Sequence, residues 1–128
     1  HVHIFAAQRP VVWSTVCAKD HQPWMPQRVV MESLHALWKE TATAWLVGDY
    51  VIMPDHLHLF CAPYDPHFVI EKWVAFWKSQ RGCFHNRIRN EADYHEKWIY
   101  MTRNPVEKQL CPAIEAWPYR GKVHDILM

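Results

Sequence analysis

The sequence predicts an α+β fold of ferredoxin-like character, an antiparallel sheet with helices packed on one face, in one domain spanning residues 1–128. Three observations predict it. Segments follow in the order strand, helix, hairpin, helix, strand, helix; two nearly all-apolar runs meet at the breaker Pro54-Asp55; and 50% of the residues are apolar, with eight Trp, enough to bury a substantial core.

The first strand is expected over Val11 to Cys17, where β-branched and aromatic residues concentrate before the loop-like Lys19-Asp20-His21-Gln22-Pro23. Pro26 opens a helix from Gln27 to about Thr43, because Val30, Leu34, Leu37 and Trp38 recur at helical spacing and bury one face. Ala44 to Met53 and His56 to Cys61 are the two strands of the hairpin. Pro63 to Pro66 breaks the chain, and Phe68 to Lys78 resumes helical spacing with Ile70, Trp73, Val74 and Trp77. Cys83 to Arg89 reads as a further strand. Asn90 suits the cap of a last helix from Glu91 to about Asn104, which Pro105 stops or kinks. Trp117 to Gly121 reads as a short packed tail, and no internal repeat or low-complexity tract is visible.

Cys17, Cys61, Cys83 and Cys111 form no C-x-x-C pair, which argues against a zinc knuckle or a redox dithiol and for reduced, mostly buried thiols. No run of about 18 apolar residues and no basic-then-apolar leader is present, so a cytoplasmic protein without a membrane span is expected. A net charge of +1 does not by itself point to nucleic acid. Local charge does more: Lys72, Lys78, Arg81, Arg87 and Arg89 occur without an acidic residue between them, interleaved with Trp73, Phe76, Trp77 and Phe84. Basic plus aromatic is the chemistry that holds phosphates and unstacked bases, though a helix with core aromatics and solvated lysines has the same pattern.

In a strand, alternate side chains share a face, so His56, His58 and Phe60 point one way and Leu57, Leu59 and Cys61 the other. Two imidazoles about 7 Å apart along a strand can aim nitrogens at one divalent cation. Two part-buried histidines bonded to backbone would look alike. On the last helix, at roughly 100° per residue, Tyr94, Trp98 and Met101 fall together while Tyr100 projects about 160° away. Glu96, Arg103, Asn104 and Glu107 share its side, with Asn104 one turn below at i+4. A phenol beside an amide oxygen is a usable nucleophile and metal-shell pair. A surface tyrosine, and an Asn ending a helix before Pro105, also account for the two residues.

The run Tyr50-Val51-Ile52-Met53-Pro54-Asp55-His56-Leu57-His58-Leu59 closely resembles the Val-Met-Pro-Asp-His-hydrophobic-His segment of the IS200-like transposases, above all the REP-associated tyrosine transposases. Lys97 to Val106 (Lys-Trp-Ile-Tyr-Met-Thr-Arg-Asn-Pro-Val) is similar to their Tyr-x-x-x-Asn-Pro-Val segment, and Trp117-Pro118-Tyr119 to the Trp-Pro that often follows. The resemblance implies a metal-dependent endonuclease and transposase of single-stranded, hairpin-containing DNA, working as a monomer or homodimer. It implies Mg²⁺ or Mn²⁺ on His56 and His58, Asn104 completing the site, and Tyr100 as the nucleophile that leaves a 5′-phosphotyrosine and a free 3′-hydroxyl. A phenol is mostly protonated at neutral pH, so it needs a base or a cation nearby to act. DNA contacts are expected from Lys72, Lys78, Arg81, Arg87, Arg89 and Arg103.

The chain departs from the family pattern at Glu107-Lys108-Gln109-Leu110, which replaces a Gly-Leu, and at Ser79-Gln80-Arg81-Gly82, which crosses directly where many members have a longer connection. Phe84-His85-Asn86 stands where Phe-Asp-His is common. These departures raise one alternative, a hairpin-DNA-binding protein of the same fold that has lost catalysis. Another is a small metal-dependent hydrolase or cupin, but neither H-x-H-x-D-H nor a Glu shortly after His58 is present. His1-Val2-His3 is set aside because a terminus is expected to fray. His35 reads as packing or surface, and His85 and His95 receive no assignment.

Overall fold

The hairpin around Pro54-Asp55 becomes the middle of the sheet. In the computed structural model, which describes residues 3–5, 10–18, 28–65, 67–77 and 83–127, β1 spans His3–Phe5, β2 Val12–Cys17, α1 Arg28–Glu40, β3 Trp45–Ile52 and β4 His56–Pro63. They are followed by α2 (Ile70–Trp77), β5 (Cys83–Arg87), α3 (Glu91–Glu107), a 3₁₀ turn at Ile114–Ala116, β6 (Arg120–Lys122) and β7 (Asp125–Leu127). Five antiparallel strands lie in the order β5-β2-β4-β3-β6, and β1 pairs in parallel with β7. The central β4 has partners on both edges, which suits its nearly unbroken buried run from Leu57 to Pro63.

The α+β class and the antiparallel sheet are as the sequence predicts, but the helices divide between the two faces. Trp38 of α1 and Trp73 and Val74 of α2 bury against Val16, Val47, Tyr50, Ile52, Leu57 and Leu59. Met101 of α3, with Ile88 and Trp117, covers Trp13, Leu46, Val51, Met53 and Phe60 on the opposite side. The reason is the composition of β3 and β4, whose residues are apolar on both sides, so one helical layer would leave Leu46, Met53 and Phe60 in water. A register shift between Val47 and Tyr50 keeps both on the α1 and α2 face. Gly48 sits in that bulge, where a Cβ would come within 2.9 Å of Ile126.

Helix α3 starts as read, with Asn90 Oδ1 accepting the Asp93 N–H at 2.8 Å. It runs through Pro105 instead of stopping at Asn104, and Lys108 N–H closes on the Asn104 carbonyl at 3.0 Å. Gln109 then takes a left-handed φ of 60°, the conformation usually given to glycine at a helix exit. The Trp117 to Gly121 segment is more than a packed tail: Trp117 is buried, its indole N–H donates to the Ile52 carbonyl at 3.0 Å, and β6 extends the sheet beside β3. The amino-terminal segment expected to fray contributes β1, while His1 and Val2 lie outside the described residues. Of the thiols, Cys61 is buried, whereas Cys17 and Cys111 are partly exposed. No helix among the described residues is long and apolar enough to cross a membrane.

Candidate functional site

Strand β4 presents His56 and His58 on the face covered by α3, and its register with β2 places Cys17 opposite His56 and Thr15 opposite His58. The imidazole centroids are 4.8 Å apart and inclined at 75°, so the rings lean together from their backbone positions. His58 Nδ1 lies 3.0 Å from Thr15 Oγ1, and His56 Nδ1 lies 2.7 Å from Asp55 Oδ1. With each Nδ1–H donating to its oxygen, each Nε2 presents a lone pair, the arrangement by which a second group orients an imidazole ligand. His58 Nε2 is buried without a hydrogen-bond partner among the described residues. An orphaned, oriented nitrogen beside a second imidazole fits a divalent cation. Among the described residues no group of three or more His, Cys, Asp or Glu gathers that could hold a metal ion.

Burial, reinforced by the neighbouring His56, pushes His58 down to about 3, which keeps its ring neutral at physiological pH. In the unfolded chain it returns to 6.5, so between those values the unfolded state binds more protons and acid favours unfolding. The contribution of His58 to stability is therefore fully present above about pH 6.5 and is lost as pH falls towards 3. Burial also lowers His35, His85 and His124, which act in the same direction. Thermal unfolding of metal-free protein should show a lower Tm at about pH 5 than at about pH 7.5, with His58 costing up to about 2 kcal/mol at the lower pH. His58→Gln should shrink that difference; an unchanged difference would remove His58 from the cause.

Helix α3 then delivers Tyr100 to the histidines. The residue is 53% exposed, and its ring meets the His58 ring edge-on at 5.7 Å and the Trp13 ring edge-on at 5.8 Å. Trp13 in turn stacks on His58, with centroids 4.8 Å apart and planes 13° from parallel. Lys97 Nζ lies 5.9 Å from the Trp13 ring centroid and 3.2 Å from Asp93 Oδ1. A cavity of about 930 Å³ is lined by His56, His58, Tyr100, Trp13, Lys97 and Lys108, among others. Its lining brings together the Tyr100 side chain, two imidazoles and two lysine side chains.

The other expected residues scatter. Asn104 is buried in mid-helix, so capping does not explain it, and its Oδ1 lacks a partner among the described residues. It shares a depression of about 470 Å³ with Tyr100, Arg103 and Lys108 and does not line the histidine cavity. Arg103 is exposed and 3.5 Å from Glu107, and Arg89 is exposed with Nε 3.6 Å from Asp93. Arg87 is exposed at the end of β5, next to Asn86, which lines the cavity. Lys72 is exposed on α2, the helix that covers the opposite side of the sheet. Trp73 is no base platform: it is 1% exposed, stacked on Trp45 at 5.8 Å, and its N–H donates to Thr41 Oγ1 at 3.2 Å. Lys78 and Arg81, and the side chains of Phe76, Trp77 and Phe84, lie outside the described residues.

His85 is turned to the far side, its Nδ1 2.8 Å from the buried Ser14 hydroxyl, and His35 packs against Tyr50 with Nδ1 3.0 Å from the phenol oxygen. Sequence reading missed Trp13, Thr15, Asp55, Lys97 and Lys108. Two of these were accessible: Asp55 immediately precedes His56, and Lys97 stands at i−3 from Tyr100, on a neighbouring turn. Trp13 and Thr15 depend on the pairing of β2 with β4, which no local pattern encodes.

No protein-family model and no curated protein matches the sequence. In three dimensions the chain is similar to a solved REP-associated tyrosine transposase bound to a REP hairpin, with a TM-score of 0.67 over 87% of this chain and 75% of that one. The two are 17% identical, so the likeness is one of fold. This chain therefore has the α+β fold of that transposase.

Proposed function

We propose that the chain is a metal-dependent single-strand DNA transesterase that cleaves and rejoins hairpin-containing DNA through Tyr100. One observation carries the reading: a half-exposed phenol from α3 and two oxygen-anchored imidazoles from β4 line one cavity, though they are remote in sequence. The fold shared with a transposase solved on a REP hairpin supports a folded single strand as the substrate.

His56 and His58 would hold Mg²⁺ or Mn²⁺ through their Nε2 atoms, and the bound cation would draw charge from the scissile phosphate oxygens. Tyr100 attacks phosphorus; the Tyr–O–P bond forms, the P–O3′ bond breaks, the phenol loses its proton and the departing 3′-oxygen gains one. The product is a 5′-phosphotyrosine and a free 3′-hydroxyl, with the bond energy conserved for rejoining. Asn104 would be a further candidate donor, its buried Oδ1 having no hydrogen-bond partner among the described residues.

Arg87 and Lys72 are exposed, Arg89 and Arg103 are exposed in surface ion pairs with Asp93 and Glu107, and all four would meet phosphates, with Lys78 and Arg81 as further candidates. Replacing Arg87 and Arg89 together with Ala should reduce the slope of log affinity against log salt by about 1.5 for two lost phosphate contacts. An unchanged slope would move the binding surface elsewhere. The deciding experiment incubates the protein with end-labelled single-stranded hairpin oligonucleotides and Mn²⁺. A protein–DNA adduct that survives denaturation, and is absent with chelator, is expected. Tight hairpin binding without adduct would instead establish a binding protein that has lost catalysis, and no hairpin binding would overturn the reading altogether.

A further inference from the structure

Trp13 touches both halves of the site, the nucleophile's helix and the histidine strand. Its indole lies face to face with His58 at 4.8 Å and receives the edge of Tyr100 at 5.8 Å. Lys97, one turn before Tyr100 on α3, reaches over the same ring and is itself tied to Asp93. Among the described residues the Tyr100 side chain has ring partners, Trp13 and His58, and forms no hydrogen bond. His58 is held through Nδ1 by Thr15, a single bond about which an imidazole can still tilt. The stack against Trp13 fixes the plane of that ring.

A purely space-filling role explains Trp13 poorly. Its Nε1–H is buried without a partner among the described residues, although a buried indole ordinarily finds an acceptor. Phe or Leu would fill the same layer without an orphaned donor. What the bicyclic ring supplies is width: it meets an imidazole face to face, a phenol at a near-right angle and an ammonium at 5.9 Å.

We infer that Trp13 is a positioning residue, which sets the plane of the His58 imidazole and the place of the Tyr100 phenol relative to it. The inference rests on the cleavage reading above, and its test separates the two. Trp13→Phe and Trp13→Leu are compared with the unsubstituted chain for Tm, hairpin affinity, Mn²⁺ affinity by calorimetric titration, and single-turnover adduct formation at saturating DNA and Mn²⁺. Trp13→Leu should keep hairpin affinity within about threefold, weaken Mn²⁺ binding by about tenfold, and slow adduct formation by roughly 10- to 100-fold even at saturating metal. Trp13→Phe, which keeps a ring to stack but loses the width, should recover part of each loss and stay measurably below the unsubstituted chain.

A folded Trp13→Leu protein with unchanged Mn²⁺ affinity and rate would overturn the inference. So would losses that track hairpin affinity and Tm alone. If Trp13→Leu does not fold, Trp13→Phe decides, since equality with the unsubstituted chain in both readouts would show that ring width is irrelevant. If the unsubstituted chain gives no adduct, the cleavage reading has failed by itself, and Mn²⁺ affinity then judges Trp13.

Discussion

Tyr100→Phe is expected to abolish the denaturation-resistant DNA adduct, a loss on the order of 10⁴-fold or more, since no second group replaces an absent nucleophile. The substitution removes one oxygen and keeps the ring that meets Trp13 and His58, so those edge contacts persist. Because the residue is 53% exposed and its hydroxyl has no hydrogen-bond partner among the described residues, Tm should move little. Hairpin affinity should stay within about twofold, since phosphate contacts dominate binding. Adduct formation by the Phe variant would transfer the nucleophile to another residue. Loss of hairpin binding together with the adduct would mean that Tyr100 serves the DNA rather than the chemistry.

Replacing either histidine should be nearly as severe for cleavage, with losses of at least about 10³-fold, and should remove Mn²⁺ binding. The two variants should part company in stability. His56 is partly exposed and anchored by Asp55, so His56→Ala should leave Tm near that of the unsubstituted chain. His58 is 4% exposed, stacked on Trp13 and bonded to Thr15, so His58→Ala should destabilise by about 1–3 kcal/mol through the gap left behind. Hairpin affinity should survive in both variants at moderate salt. A His56→Ala protein that cleaves at the normal rate would remove the cation from the histidine pair.

Two features of the site bear on these outcomes together. The Thr15 and Asp55 oxygens orient the two imidazoles, one across the sheet and one along the chain. Tyr100 is set by ring contacts, on a helix that exits through the left-handed Gln109 after a proline.

The sequence by itself determined the elements and the chemistry-bearing positions. Helical spacing or an N-cap marked the three helices, and β-branched or apolar runs marked β2, β3 and β4, while β5 showed more faintly because it carries few apolar residues. Asn90 announced its cap, and alternation along β4 put His56 and His58 on one side. Strands of three residues, β1, β6 and β7, stayed invisible because such lengths hold no periodicity. Local pattern says that a helix buries a face but not against which side of a sheet, so only tertiary packing decided that α3 stands opposite α1 and α2. That decision buried Trp73, separated Lys72 from the site, and brought Tyr100 to His58. The pairing of β2 with β4 likewise supplied Trp13 and Thr15, since contacts between strands distant in the chain are fixed by the packing of the whole sheet and by nothing local.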